Sequence, residues 1–181
     1  MEFETGPVIA AVRGDEHLKE AVKSDVEVIF DLTPNVLDIA KKVDIVHKAG
    51  KKIFIHIDLA EGIGKDRAGI EFAKKSGVDG ILSTRTSIIK IASELELLTV
   101  QRFFLIDSHS VDTTVDALKN SRADMIEIMP GVVPKIIKNL KERIKQPIIA
   151  GGLIEFKEEI IDAMKSGATA ISTGKKDFWE E

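Results

Sequence analysis

An α/β fold closed into a small (β/α)8 barrel of the TIM type is predicted by three observations. Runs rich in β-branched residues alternate with amphipathic stretches along the whole chain. Eight of the former and seven of the latter can be read. Glycine stands at the helix stops Ala49-Gly50, Ser76-Gly77 and Ser166-Gly167, shortly before the next strand begins. A helix C-terminus needs the left-handed conformation there. A repeated strand–helix unit demands a parallel sheet, and eight such units close a barrel. An open doubly wound sheet is the runner-up. The chain has 181 residues, fewer than the about 250 usual for such barrels, so the connections must be short.

The expected strands are Val8–Val12, Val26–Leu32, Ile53–Asp58, Gly80–Ser83, Leu98–Asp107, Met125–Met129, Pro147–Gly151 and Ala168–Thr173, each bounded by turn residues. The expected helices are Asp15–Lys23, Asn35–Ala49, Asp66–Lys75, Ser87–Leu95, Val111–Asn120, Val133–Arg143 and Glu155–Lys165. Each places apolar residues three and four apart. In the sixth, Ile136, Ile137, Leu140 and Ile144 form one stripe, with Lys135, Lys138, Lys141 and Lys145 largely outside it.

Composition fits one domain spanning 1–181. No cysteine is present, which excludes disulfides, thiol nucleophiles and Cys-bound metals. No run approaches the roughly 18 apolar residues of a membrane span. The acidic opening Met1–Gly6 lacks a signal-peptide profile, so a cytoplasmic address is expected. A formal net charge of −4 excludes an overall basic footprint for nucleic acid. Any such surface must be local, and two lysine clusters offer one: Lys41, Lys42, Lys48, Lys51 and Lys52, and Lys135, Lys138, Lys141, Arg143 and Lys145.

Ligand chemistry in a parallel barrel collects where the strands end. The strand exits carry Arg13, Asp31, His56 and Asp58 with Glu61, Ser83 and Arg85, Asp107 and Ser108, then Glu127, Gly151-Gly152 and Ser172-Thr173-Gly174. In the third strand, Phe54, His56 and Asp58 share the face opposite Ile53, Ile55 and Ile57, so they point inward. A His and an Asp in a packed interior require partners or a ligand. Glu127, between Ile126 and Ile128, is either half of an internal ion pair with Arg13 or Arg102, or a ligand contact.

The turns Gly151-Gly152 and Ser172-Thr173-Gly174 close the last two strands. This is where such barrels often hold a phosphate, with a short extra helix beside it. Glycine lets backbone N–H groups approach an anion, and Ser172 and Thr173 add hydroxyls. The loop Glu61–Asp66 carries two glycines and Lys65 and is a candidate lid. It lacks the P-loop pattern.

His56-x-Asp58 resembles the metal-binding strand of ribulose-phosphate epimerases. His17 and His47 fall in helices, and neither they nor His109 follow the next strand, so no metal is assigned. Lys52 lies at the wrong end of its strand for a Schiff base. No nucleophile elbow is present.

Several segments together carry a further likeness. They are Pro7–Arg13, His56-Ile57-Asp58-Leu59 with Glu61-Gly62-x-Gly64-Lys65-Asp66-x-Ala68-Gly69, and Ser83-Thr84-Arg85. They continue with Gln101-Arg102-x-Phe104-Leu105-Ile106-Asp107-Ser108 and Glu127-Ile128-x-Pro130-Gly131-x-x-Pro134-Lys135. The last are Pro147–Ile154 and Gly167-Ala168-x-Ala170-x-Ser172-Thr173. In these the chain resembles the glycerol uptake operon antiterminator regulatory proteins. Leu32-Thr33-Pro34-Asn35 stands where that family usually has Gly-Asp, which is expected to alter the pocket rim.

The resemblance implies a cytoplasmic regulator of glycerol metabolism, without catalytic residues or cofactor. In that family glycerol 3-phosphate promotes attachment to an mRNA leader and prevents premature termination. On this reading Gly151, Gly152, Ser172, Thr173 and Gly174 hold the phosphate. Arg13, Lys65 or Arg85 adds charge, and Asp58, His56, Asp107 or Glu127 bonds the glycerol hydroxyls. The alternative is a phosphosugar isomerase, epimerase or lyase using His56, Asp58 and Glu127. The sequence leaves self-association open.

Overall fold

The computed structural model describes residues 6–180. Eight parallel strands follow one another around a closed barrel in chain order: β1 (Val8–Val12), β2 (Val28–Asp31), β3 (Lys52–His56), β4 (Gly80–Ser83), β5 (Leu98–Phe104), β6 (Met125–Met129), β7 (Ile148–Gly151) and β8 (Ala170–Thr173). Closure is made by β8 beside β1, with Ile9 opposite Ser172 and Ala10 opposite Thr173. Seven helices connect them: α1 (Gly14–Lys23), α2 (Ile39–Lys48), α3 (Arg67–Lys75), α4 (Thr86–Glu94), α5 (Ser108–Asn120), α6 (Pro134–Arg143) and α7 (Lys157–Lys165). The predicted barrel is therefore the observed one, and the acidic opening read against a leader lies, through Thr5, outside the described residues.

The alternation of each strand builds the core. Inward side chains, among them Ile9, Phe30, Phe54, Leu82, Val100 and Met125, fill the barrel. Outward ones pack on helices in two groups. Ile29, Ile53, Ile55 and Ile81 meet α1 to α4, and Ile126, Ile128, Ile148 and Ile171 meet α5 to α7. Burying each such side chain contributes roughly 1.5–3 kcal/mol.

Of the boundaries that differ from the sequence reading, three bear on the site. The third strand stops at His56, and Ile57–Leu59 make a 3₁₀ turn. The fifth stops at Phe104, because Asp107 is the N-cap of α5 and accepts the Ser110 amide at 2.8 Å. The second helix starts at Ile39 rather than Asn35. Asn35 instead folds a turn, accepting the Leu37 amide and donating its side-chain N–H to Glu61, 2.9 Å in each case. In both latter places a short polar side chain captures the backbone that hydrophobic period alone would have extended.

Candidate functional site

One pleat above the apolar filling, toward the strand C-termini, the inward positions turn polar. His56 stands two residues beyond Phe54, Arg102 two beyond Val100, Glu127 two beyond Met125 and Ser172 two beyond Ala170. Period-two geometry puts all four inside. Each is more than nine-tenths buried, and Glu127 is fully so. Arg102 Nε donates to Glu127 Oε2 at 2.5 Å, and Ser172 Oγ donates to Oε1 of the same carboxylate. Of the two internal partners that sequence allowed Glu127, Arg102 is the one used.

The corresponding inward positions of β7 and β1 are Gly151 and Ala11. A Cβ on Gly151 would lie 2.5 Å from Ser172 Oγ and 2.7 Å from Glu127 Oε1. Gly151 is therefore required to admit the Glu127 carboxylate, a reason distinct from the anion approach expected of it.

Two nitrogens in this layer make no hydrogen bond to the described residues: His56 Nδ1 and Arg102 Nη2. The His56 imidazole is driven from its ordinary value near 6.5 to about 4, first by burial, then by the Arg102 charge, with Asp58 opposing. It is neutral at neutral pH.

Above this layer opens a cavity of about 580 Å³. Arg13, Gly152, Ser172, Thr173 and Gly174 line it together. The turns after β7 and β8 thus border one space. Gly152 has φ +76°, and Leu153 follows at φ +60°, a conformation unusual for a branched side chain. A Cβ on Gly152 would meet nothing nearer than Met129 Cγ at 3.4 Å, so its backbone angle is what demands glycine. The extra helix is only the 3₁₀ turn Lys176–Phe178. Trp179 Nε1 donates to the Thr173 carbonyl at 2.9 Å and fastens that tail below the β8 exit.

Lys175, His17 and Met129 also line the cavity and were missed in the sequence. Lys175 Nζ donates to the Glu155 carbonyl at 2.5 Å and sits over the Phe156 and Phe178 rings, tying the β7 and β8 loops together. Its place directly after Gly174 was the available signal.

The remaining predicted residues lie elsewhere. Asp58 does not continue the inward face of β3. The 3₁₀ turn swings its carboxylate to the end of β4, where it accepts from the Ser83 hydroxyl at 2.9 Å and the Thr84 amide at 2.7 Å. Arg85 Nε lies 3.6 Å from that carboxylate. Asp107 is an exposed helix cap, its carboxyl held below the usual range chiefly by the Ser110 amide. Lys65 donates to the carbonyls of Ala60 and Ile63, so it fastens its own loop rather than reaching over the mouth. Asp66 caps α3 through the Gly69 amide at 2.9 Å.

The two lysine clusters differ. In the first, Lys42 is buried against Asp31, Lys51 donates to the carbonyls of Ser24 and Val26, and Lys48 pairs with Asp44. On α6, Lys135, Lys138 and Lys141 are exposed, as is Lys145 just beyond it, while Arg143 pairs with Asp112 at 2.8 Å. Among the described residues no group of three or more His, Asp or Glu side chains is placed to hold a metal ion. No helix among them is long and apolar enough to cross a membrane.

Comparison with known proteins agrees with this fold. The family pattern of the glycerol-3-phosphate responsive antiterminators matches residues 8–179. A curated Escherichia coli K12 protein, the uncharacterized protein YgcP, is 37% identical over 174 residues, covering 96% of this chain and 91% of its own. The crystal structure of a glycerol uptake operon antiterminator regulatory protein from Listeria monocytogenes superposes with a TM-score of 0.93 at 31% identity, covering 99% of this chain and 98% of that one. An antiterminator-related protein from Thermotoga maritima superposes at 0.86 with 29% identity, covering 97% and 99%. A deoxyribose-phosphate aldolase from Aeropyrum pernix, at 15% identity and a TM-score of 0.74, shares the fold alone. The chain belongs to the glycerol-3-phosphate responsive antiterminator family.

Proposed function

We propose that this protein binds glycerol 3-phosphate in the mouth cavity and, in that state, attaches to an mRNA leader and prevents transcription termination. The observation that carries the reading is the convergence of the Gly152 and Gly174 turns with Arg13 and Lys175 on a single cavity. Glycine backbone and two cations suit a small dianion. Of the expected charges Arg13 lines the cavity and Lys175 joins it there, whereas Lys65 and Arg85 lie outside the lining. Ligand control of RNA binding requires that the ligand prefer the RNA-competent state. The exposed lysines of α6 are the local basic surface that this role needs.

Calorimetry of the whole chain with glycerol 3-phosphate tests the pocket. Gly174→Val, whose side chain would enter the cavity beside Ala11, is expected to lower affinity at least tenfold. Unchanged affinity would count against the reading. An RNA shift assay with and without glycerol 3-phosphate tests the regulatory step. Catalysis by His56, Asp58 and Glu127 draws less support, because the Asp58 and Glu127 carboxylates serve different strands and each is already engaged by donors.

A further inference from the structure

A second hollow, of about 810 Å³, opens between α5 and α6 where β5 and β6 end. It shares no lining residue with the mouth cavity. Val111 of α5 and Val133 and Ile136 of α6 and its N-cap give it an apolar floor. Arg143 Nη2 on α6 donates to Asp112 Oδ1 on α5 at 2.8 Å and ties the two walls together. The other charged residues of the lining stand on opposite edges and are exposed: Asp107, the N-cap of α5, and Lys135, in the first turn of α6. On the lip, Ile106 is 90% exposed, although its backbone amide is fixed by Ser110 Oγ at 3.0 Å. Phe104, two residues earlier, is exposed as well. A fixed isoleucine held out to water beside an open apolar floor marks a contact surface.

We propose that the α5–α6 groove is the face by which two copies of this chain associate about a two-fold axis, each copy's Ile106 entering the other's groove. This goes beyond the ligand and RNA readings and depends on neither.

Charge selects the occupant. Asp107 and Asp112 balance Lys135 and Arg143, so the groove has no net attraction for a polyanion such as RNA. A second copy fits because a two-fold axis sets one patch against itself, and each feature must meet its complement within that patch. Here a protruding isoleucine answers an apolar hollow. Asp107 on the α5 edge answers Lys135 on the α6 edge. An apolar centre inside a charged rim is the usual anatomy of a protein interface. Lys138, Lys141 and Lys145 fall outside the lining, so they stay available to a different partner.

Sedimentation equilibrium of the whole chain over a concentration series is the test, and a monomer–dimer equilibrium is expected. Ile106→Asp should weaken it by about tenfold or more, as loss of a central apolar anchor does. Melting at the dilute end of the series should be unchanged, since the Ile106 side chain packs on little of its own chain. Lys135→Glu sets a carboxylate against the second copy's Asp107 and should weaken association about fivefold through like-charge repulsion. Adding Asp107→Asn removes that charge, keeps a capping side chain and should recover most of the loss. A monomer at every concentration up to about 0.1 mM overturns the proposal. So does a dimer that Ile106→Asp leaves intact, since it would use another face. If the chain is monomeric and Ile106→Asp lowers RNA affinity in a shift assay, the groove seats RNA and the proposal falls. Should Ile106→Asp not fold, Lys135→Glu decides: weakened association that Asp107→Asn recovers supports the face, and unchanged association overturns it.

Discussion

Among the described residues, two Lys or Arg ion pairs are buried in this barrel, on opposite sides of its wall. Lys42 and Asp31 lie between β2 and α2, at 5% and 2% exposure. The Lys42 ammonium sits 3.2 Å from Asp31 Oδ2, 3.2 Å from the Thr33 carbonyl and 3.4 Å from Asp38 Oδ1. The first two accept hydrogen bonds from it, whereas Asp38 Oδ1 is an ion-pair contact without a hydrogen bond. Asp31 Oδ1 also accepts the Thr33 amide at 2.9 Å. Arg102 and Glu127, inside the barrel, are equally buried, yet Nη2 of the arginine is unpaired. The first pair fastens a helix and a loop to a strand. The second lies inside the barrel and, through Glu127, anchors the cavity-lining Ser172.

The largest expected effect would break that contrast or establish it. Lys42→Met leaves Asp31 buried without its cation, which should lower stability by about 3–5 kcal/mol in urea denaturation. Adding Asp31→Leu should recover most of the loss, because an apolar pair of similar volume is often neutral in such places. The double variant Arg102→Met with Glu127→Leu should likewise fold. Only the second double variant should lose glycerol 3-phosphate affinity. If both bind normally, the distinction between the two pairs fails.

Acid sharpens the same contrast. The His56 pKa of about 4 lies below the ordinary 6.5, so the folded state binds fewer protons than the unfolded chain between those values. The stability that the neutral ring contributes is fully present above pH 6.5 and is lost as pH falls toward 4. A shift of this size is worth on the order of 3 kcal/mol. Melting followed from pH 7 to pH 4 should therefore show a slope in the wild type that His56→Leu removes. Persistence of the whole slope in the variant would assign it to other groups. Next in size is Gly151→Ala, whose methyl group would crowd Ser172 and Glu127 and cost about 1–3 kcal/mol by overpacking.

The barrel was legible because its signals are local: alternating strands, helical stripes and glycine stops. The inward placement of His56 and Glu127 was legible for the same reason, since both lie inside strands where period two holds. Asp58 and Asp107 were misplaced because each lies just past a strand end. There a 3₁₀ turn or a helix cap, not the pleat, sets the side-chain direction. Lys65 was misplaced because its partners are carbonyls of its own loop, which composition does not encode. Arg102 was read only as a partner for Glu127. Its spare nitrogen becomes visible only when every neighbour is in place.

The smallest expected effect on stability concerns the two lysine clusters and carries the RNA question. Lys138 is exposed on α6, whereas Lys48 on α2 is held by Asp44. Replacing either with alanine should change stability by no more than about 0.5 kcal/mol. Their effects on RNA should differ. A lysine that contacts a phosphate releases counterions, so its loss lowers the slope of log affinity against log salt by roughly 1. Lys138→Ala should do this and Lys48→Ala should not, both read from shift assays over a salt series with glycerol 3-phosphate present. Equal slopes in the two variants would remove α6 as the basic surface. Because the exposed cations of α6 lie beyond a single βα turn from the cavity rim at Met129, the same titration without ligand measures the coupling between the two sites.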